Sequence, residues 1–160
     1  MDKNKHRNKT RIEGYSIAEV VGVYAAKVMN IINYVVLVRG IDWDHKILPI
    51  FIGEPEAASI DAAMKGFIPK RPLTHDLIIS LLDTLGVKIE KVTIDAMVNN
   101  IYTATIVLVD ERQGKKVRYH IDARPSDSIA IALRAGTTIY IADHLKKYAV
   151  DEGELGILED

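Results

Sequence analysis

The chain has 160 residues, of which 48% are hydrophobic and 27% charged, so it contains enough apolar material for one domain with its own core. Lysine and arginine total 21 against 22 for aspartate and glutamate. This balance argues against a strongly basic nucleic-acid-binding protein, and any phosphate binding must come from a local patch. The absence of cysteine excludes disulfides, thiolate zinc sites and thiol nucleophiles, and it favours a reducing, cytoplasmic compartment.

The two ends of the chain are predicted to lie outside the folded domain. Residues 1–14 open with a basic, polar run that has almost nothing to bury, so they are predicted to be disordered. A single domain is predicted over residues 15–149, followed by a mobile acidic tail at 150–160. The longest apolar stretch, residues 28–38, is too short to cross a bilayer, and no secretory signal is evident. A cytoplasmic protein without membrane contact is therefore expected.

Three strands are predicted in the first third of the chain. Residues 17–25 alternate in character, residues 32–38 form a β-branched run, and both faces of these segments are largely apolar, which favours strands covered on both sides. A third strand is expected over residues 45–52. Pro49 lies inside it and favours an edge or a bulge, because proline has no N–H to donate to a neighbouring strand.

A first helix is predicted from Pro55 to Lys65, since proline suits the first turn and Gly66 suits the left-handed position after the helix. Residues 68–72 (IPKRP) cannot be helical and separate this helix from the next. A second helix is predicted to be capped by Thr74 and to end at Gly86. The stripe that it is expected to bury comprises Leu77, Ile78, Leu81, Leu82 and Leu85.

The second half predicts a meander of strands over residues 87–97, 101–110 and 115–123, with a bulge near Glu90 where the apolar phase switches. Residues 124–136 (RPSDSIAIALRAG) then repeat the order of the earlier segment: strand, charged residue, proline, small apolar helix, glycine. A short strand and a short helix complete the predicted fold. The fold class is therefore α+β, with a mixed, mostly antiparallel sheet, helices packed on it, and two related strand-helix units.

Three separated motifs, LPIFIGEPEA, RPLTHDLIISLLDTLG and DARPSDSIAIALRAG, resemble the bifunctional nuclease domain family in order and spacing. The resemblance covers roughly residues 16–149. It implies an α+β domain that is frequently a homo-oligomer, with a dimer as the expected state, and a nuclease activity on both DNA and RNA. It carries over no catalytic residues.

Phosphodiester cleavage needs a nucleophilic water, neutralisation of the phosphate charge and stabilisation of the leaving oxygen. Carboxylates that hold a divalent ion can supply all three. The candidate metal ligands are predicted at strand ends or helix starts; they are Glu54, Glu56, Asp122 and Asp127, with Asp76 as a further candidate. Oxygen ligands of this kind suit Mg²⁺ or Mn²⁺, and no organic cofactor is expected. If the two strand-helix units are adjacent, Glu54 and Glu56 are expected to meet Asp122 and Asp127 in one cleft. Acids in a first helical turn also serve as caps, so that role stays open for each.

The predicted catalytic carboxylates are Glu54, Glu56 and Asp127. His75 is the best candidate for a general acid or base, because histidine as a residue type titrates near neutrality and this one is predicted at a helix start. A structural hydrogen bond that fixes the IPKRP loop is an equally compatible role. His45 and His120 lie on predicted strands and are more typical of surface residues.

Phosphate contacts are predicted for three cations, Lys70, Arg71 and Arg124. Arg134, Arg118 and Lys116 could extend this track along a polar sheet face, although Arg124 could equally be the ion-pair partner of nearby carboxylates. The few aromatic residues argue against sequence-specific readout. A glycine-rich phosphate loop, an HExxH motif and a serine-hydrolase elbow are all missing from the sequence.

Two functions therefore compete. In the first, the protein is an enzyme, a metal-assisted nuclease that acts on DNA and RNA with little sequence specificity. In the second, it is a non-catalytic homo-oligomeric domain that binds a small anion, nucleic acid or protein partner. The resemblance favours the first, whereas the near-neutral charge and the cap-like acids favour the second.

Overall fold

The computed structural model describes residues 11–155. The strands are β1 (Tyr15–Val28), β2 (Ile31–Gly40), β3 (Lys46–Ile52), β4 (Lys88–Val98), β5 (Ile101–Asp110), β6 (Val117–Ala123), β7 (Ile139–Ala142) and β8 (Val150–Asp151). The helices are α1 (Glu54–Lys65), α2 (Thr74–Leu85) and α3 (Pro125–Ala135), with a 3-10 helix at Asp143–Tyr148 and another at Glu152–Glu154. The strands and helices predicted from the sequence are thus present in the predicted order.

The strands form one eight-stranded sheet in the order β6-β5-β4-β7-β1-β2-β3-β8. Within the described residues, β4 and β7 form the parallel pair and the other neighbours run antiparallel. The register of β4 against β5 shifts between Ile89 and Lys91, which confirms the bulge predicted near Glu90. The predicted α+β class with a mostly antiparallel sheet is confirmed.

Pro49 lies where one side of β3 is open. Its partner on β2 is Leu37, whereas β8 pairs with β3 only at Lys46 and Ile47. A proline is tolerated there because no strand of the described chain requires its missing N–H on the open side. The edge position predicted for Pro49 is confirmed.

Strand pairing continues past the predicted end of the domain at residue 149. Asp151 lies in β8, and its carboxylate forms an ion pair with the Lys46 ammonium at 3.0 Å. At the other end, Gly14 belongs to a turn that leads into β1, and its carbonyl accepts the Asp143 N–H at 2.9 Å. The remaining parts of both predicted termini, residues 1–10 and 156–160, lie outside the described residues.

The two predicted strand-helix units, β3-α1 and β6-α3, bring their helices together over the core. Ile60 of α1 and Ile129 of α3 are fully buried in one cluster with sheet residues such as Val36 and Ile94. Each helix has a proline in its first turn and ends at a glycine with a left-handed φ, 67° at Gly66 and 66° at Gly136. Because β3 and β6 lie toward opposite ends of the strand order, the packing of α1 on α3 requires a strongly curved sheet.

The buried stripe predicted for α2 is wrong for three of its members. Leu77, Leu81 and Leu85 are 52%, 53% and 56% exposed, whereas Ile78 and Leu82 are partly buried. The 3.6-residue period identifies an apolar side of a helix, but it does not say what covers that side. Within the described chain, α2 packs against α3 through its other side.

The cap predicted for α2 is also wrong by one residue. Leu73 occupies the position before the helix and Thr74 is already its first residue. The Asp76 carboxylate accepts the Leu73 N–H at 2.9 Å, so the third residue of the helix satisfies the free donor.

Candidate active site

The N-terminal halves of all three helices meet around His75, which is 7% exposed. Its Nδ1 lies 2.6 Å from the Ser59 hydroxyl of α1, and its Nε2 lies 2.8 Å from an Asp127 carboxylate oxygen of α3. Each of these side chains comes from a different helix. His75 therefore acts as the polar junction of the three.

The ionisation of Asp127 determines which ring nitrogen of His75 carries the proton. Burial is the largest single influence and opposes ionisation, but hydrogen bonds from His75 and Arg124 together lower the pKa of Asp127 below its usual value. An ionised carboxylate only accepts, so Nε2 donates to Asp127, and in the neutral form of the ring Nδ1 is the acceptor for the Ser59 O–H. Both nitrogens of His75 are thus bound within the protein, which supports a positioning role. Acid or base catalysis by His75 stays a prediction.

Arg124 joins the two strand-helix units at the surface. Its Nε donates to Asp127 at 3.0 Å, and its Nη2 donates to Glu56 at 2.9 Å. The hydrogen bond with Asp127 and then that with Glu56 raise the pKa of Arg124. The side chain remains 65% exposed, so a permanent positive charge is held in place but stays open to solvent.

Arg134 is bound inside the fold. Its side chain is 10% exposed and donates to the Asp76 carboxylate at 2.8 Å and to the carbonyls of Ala130 and Ser59 at 3.0 and 3.2 Å. The hydrogen bond from Arg134 is the main reason that the pKa of Asp76 is lowered. Both residues serve the packing of the helices, so the arrangement favours a structural role for Arg134 over phosphate contact.

The predicted convergence of carboxylates occurs for Glu56 and Asp127, which meet through Arg124. No hydrogen bond or ion pair within the described chain connects Glu54 or Asp122 to this network. Residues 11–155 contain no group of three or more His, Asp or Glu side chains arranged to hold a metal ion. A divalent cation would have to compete with Arg124 for both carboxylates, so the donor set as placed does not match a metal site. Ligation by these four acids stays a prediction.

The predicted phosphate-binding cations lie in two different environments. Lys70 and Arg71 are exposed in the loop between α1 and α2. Along β6, Arg118 donates to both oxygens of Glu90 at 2.7 and 3.1 Å, and Lys116 lies 3.6 Å from Glu111. The charges of the proposed track on β6 are therefore largely balanced by acids.

Two open cavities share Arg124 as a common wall. The smaller, of about 270 Å³, is lined by Pro55, Glu56, Ser59, Leu73, Thr74, His75, Arg124 and Asp127. The larger, of about 430 Å³, lies between the end of β3, the β4-β5 turn and the start of α3, and its wall includes Phe51 and Tyr102. Polar side chains thus line the smaller cavity, aromatic rings line part of the larger one, and Arg124 lies between the two.

Ser59, Phe51 and Tyr102 were not singled out by sequence reasoning. Phe51 follows Pro49 on an edge strand and is 68% exposed, which is unusual for a phenylalanine. The alternation of β3 alone could have indicated that its side chain points away from the core. The sequence offers no comparable signal for Ser59, because its importance depends on His75, 16 positions further on.

A profile of the bifunctional nuclease domain matches residues 35–151, a range that includes Glu56, His75, Arg124 and Asp127. The chain belongs to the bifunctional nuclease domain family. The family resemblance seen in the three motifs is therefore confirmed.

The chain is also similar in sequence to individual proteins. Two proteins of Mycobacterium tuberculosis, from strains CDC 1551 / Oshkosh and ATCC 25618 / H37Rv, are each 40% identical over 124 residues, or 78% of this chain and 70% of theirs; their names state no function. A protein of Oryza sativa subsp. japonica named bifunctional nuclease 2 is 27% identical over 111 residues, which cover 66% of this chain and 32% of the rice protein.

None of the helices formed by residues 11–155 is both long and apolar enough to cross a membrane.

Proposed function

We propose that the protein is a nuclease that hydrolyses phosphodiester bonds of DNA and RNA with little sequence specificity. The observation that carries this proposal is Arg124, whose exposed guanidinium is fixed by Glu56 and Asp127 between the two cavities of a bifunctional nuclease domain. The name of the rice relative supports the same reaction class.

The two cavities fit the two parts of a nucleotide. A phosphate oxygen can bind the exposed side of the Arg124 guanidinium, because arginine presents several donors in one plane. A base can stack on Phe51 or Tyr102 in the 430 Å³ cavity, and stacking tolerates any base because every base has a π-face. This division of contacts supports binding without sequence selectivity.

Hydrolysis also requires a group that takes a proton from the attacking water. Glu56 and Asp127 line the 270 Å³ cavity beside Arg124. Asp127 accepts hydrogen bonds from both His75 and Arg124, whereas Glu56 accepts one from Arg124, which favours Glu56 as the general base. In this scheme the water oxygen forms the new bond to phosphorus while Glu56 accepts the water proton. The bond to the leaving oxygen breaks, that oxygen takes a proton from solvent water, and Arg124 balances the charge on the phosphate.

The test is cleavage of single- and double-stranded DNA and RNA by highly purified protein, in Mg²⁺, Mn²⁺ or chelator. Arg124→Gln is expected to lower the cleavage rate about 100-fold, as loss of a donor to a transition-state oxyanion does. The matched control is Arg112→Gln, which removes another exposed arginine that is also paired with an acid, Asp110.

Each outcome of this assay decides between named alternatives. Metal-dependent cleavage would support the predicted Mg²⁺ or Mn²⁺ requirement. Cleavage that Arg124→Gln leaves unchanged, in a variant with a normal thermal unfolding curve, would contradict the site. Binding of nucleic acid without any cleavage by the wild type would overturn the nuclease and support the non-catalytic binding domain.

Phe51→Ala is expected to weaken binding of a single-stranded oligonucleotide about tenfold, because one stacked base contributes roughly 1 to 3 kcal/mol. The measurement is fluorescence anisotropy at one fixed salt concentration, since phosphate contacts make affinity salt-dependent. Tyr119→Ala removes an exposed ring on β6 that lines neither cavity and serves as the control. Equal affinities for Phe51→Ala and the wild type would contradict stacking in this cavity.

A further inference from the structure

Ser59, His75 and Asp127 form a continuous hydrogen-bonded series beside the 270 Å³ cavity. The Ser59 hydroxyl lies 2.6 Å from Nδ1 of His75, and Nε2 of the same ring lies 2.8 Å from the Asp127 carboxylate. All three residues line the cavity. A serine, a histidine and an aspartate joined in this order are the parts of a catalytic triad, which is recognised by geometry and roles and not by sequence position.

The protons of this series are placed as acyl transfer requires. Because Asp127 is ionised, Nε2 of His75 donates to it, and Nδ1 of the neutral ring accepts from the Ser59 hydroxyl. Nδ1 can therefore take the serine proton when the oxygen attacks, and the Asp127 carboxylate stabilises the imidazolium that forms. In the best-known serine proteases Nε2 faces the serine, but either ring nitrogen can accept a proton.

The nucleophile of this series is held firmly in place. Ser59 lies in the second turn of α1, and its backbone carbonyl accepts a hydrogen bond from Arg134 at 3.2 Å. Its side chain and that of His75 belong to two different helices that pack together around a buried junction. A serine and its base that are fixed at hydrogen-bonding distance need no rearrangement before the proton moves.

The same cavity contains donors for the negative oxygen that forms when an ester is attacked. Thr74 and His75 are the first two residues of α2, and the first N–H groups of a helix have no partner within the helix. The exposed guanidinium of Arg124 adds a positive charge. The volume of about 270 Å³ lies just below the range of about 300 to 1,000 Å³ that is usual for drug-sized ligands, so the cavity fits a small ester.

We propose that Ser59, His75 and Asp127 hydrolyse small carboxylic esters through an acyl-serine. Ser59 Oγ forms a bond to the ester carbonyl carbon, and its proton moves to Nδ1 of His75. The bond to the alcohol oxygen breaks, and that oxygen takes the proton from Nδ1. Water then attacks the acyl-serine and gives a proton to Nδ1, the acid is released, and Ser59 Oγ recovers the proton. This activity does not depend on the proposed nuclease function.

Covalent labelling with diisopropyl fluorophosphate tests the nucleophile directly, because a triad serine displaces the fluoride. Peptide mass spectrometry of the full chain should locate an adduct at Ser59, which Ser59→Ala should lose and which urea-unfolded protein should not form. The matched control is Ser16→Ala. It removes another buried serine, whose hydroxyl binds a carboxylate, Asp143, and no histidine, so labelling should proceed at the wild-type rate.

Asp127→Asn tests the role of the histidine. Arg124 donates to one carboxylate oxygen of Asp127 and His75 binds the other, so the asparagine would keep its oxygen toward Arg124 and turn its NH₂ group toward Nε2. The ring proton then moves to Nδ1, and Ser59 loses its base. We expect the labelling rate to fall at least about 100-fold in a variant whose thermal unfolding curve stays close to that of the wild type. Equal labelling rates would contradict the triad.

Hydrolysis of p-nitrophenyl acetate measures turnover. The wild type should saturate with substrate, and Ser59→Ala should lower kcat/KM at least about 100-fold, whereas Ser16→Ala should leave it unchanged. A wild type without an adduct at Ser59, or equal kcat/KM values for Ser59→Ala and the wild type, would overturn the proposal and leave Ser59 as a structural donor to His75. Phosphodiester cleavage enters neither readout, so failure of ester hydrolysis and failure of the proposed nuclease are distinguishable.

Discussion

Replacing His75 by alanine is expected to lower the free energy of unfolding by about 4 kcal/mol, because the cost of an unpaired buried hydroxyl adds to that of a cavity. The imidazole is 7% exposed and bonds to Ser59 at 2.6 Å and to Asp127 at 2.8 Å. Alanine would leave the buried Ser59 hydroxyl without its acceptor, remove one donor from Asp127, and leave a cavity at the meeting point of three helices. Urea unfolding at one protein concentration measures the effect.

His144→Ala is the control for this prediction, because His144 is exposed on the 3-10 helix after β7. Its free energy of unfolding should stay within about 0.5 kcal/mol of the wild type. Ser59→Ala should cost less than His75→Ala, since Asp127 then keeps both of its donors. A loss of less than 1 kcal/mol for His75→Ala would contradict the role of His75 as the junction of the helices.

Ile60→Ala is also expected to lower the free energy of unfolding by about 4 kcal/mol, near the upper part of the range for such core truncations. Ile60 is fully buried in the main cluster and holds α1 against α3 and the sheet. Three carbon atoms are lost from a site whose neighbours belong to different elements, so the cavity cannot close by a simple shift. Because α1 carries Glu56 and Ser59, the same variant should also lose the proposed nuclease activity at a lower temperature than the wild type does.

The comparison for Ile60→Ala is Ile32→Ala, the same substitution at a side chain that is 60% exposed near the tip of the β1-β2 hairpin. It should cost less than about 1 kcal/mol. Equal losses for the two variants would mean that the core is not concentrated beneath α1. Both should be measured at the same protein concentration, because any association of chains would shift the apparent stability.

Most of the fold could be predicted because its signals are local. The β-branched run before Gly40, the proline and glycine that bound α1, and the phase switch at Glu90 each depend on a few neighbouring residues. Backbone sterics and side-chain alternation act over this same range. For that reason the predicted elements match those of the structure closely.

The candidate site could be predicted only in part because its contacts are not local. The sequence predicted that Glu56 and Asp127 would lie close together. In the structure both acids bind Arg124, which is 68 positions away from Glu56 along the chain. Whether an acid binds an arginine, a backbone N–H or a metal depends on which group reaches it in the folded chain. The same limit explains why Leu77, Leu81 and Leu85 of α2 are exposed although they were predicted to be buried, since helical periodicity does not say what covers the apolar side of a helix.

The position of β7 has a consequence for biosynthesis. This strand of four buried residues lies between β4 and β1 in the sheet, yet residues 139–142 follow all six of the longer strands in the chain. A ribosome adds about 5 to 20 residues per second, starting from the N-terminus. The strands β1 to β3 and β4 to β6 are therefore synthesised before β7, the strand that joins these two groups in the sheet. Until then the edges of β1 and β4 are open to pairing with other chains. The edges of β1 and β4 therefore stay unpaired until residues 139–142 have been synthesised. A chaperone that covers these edges would prevent wrong pairing during that time.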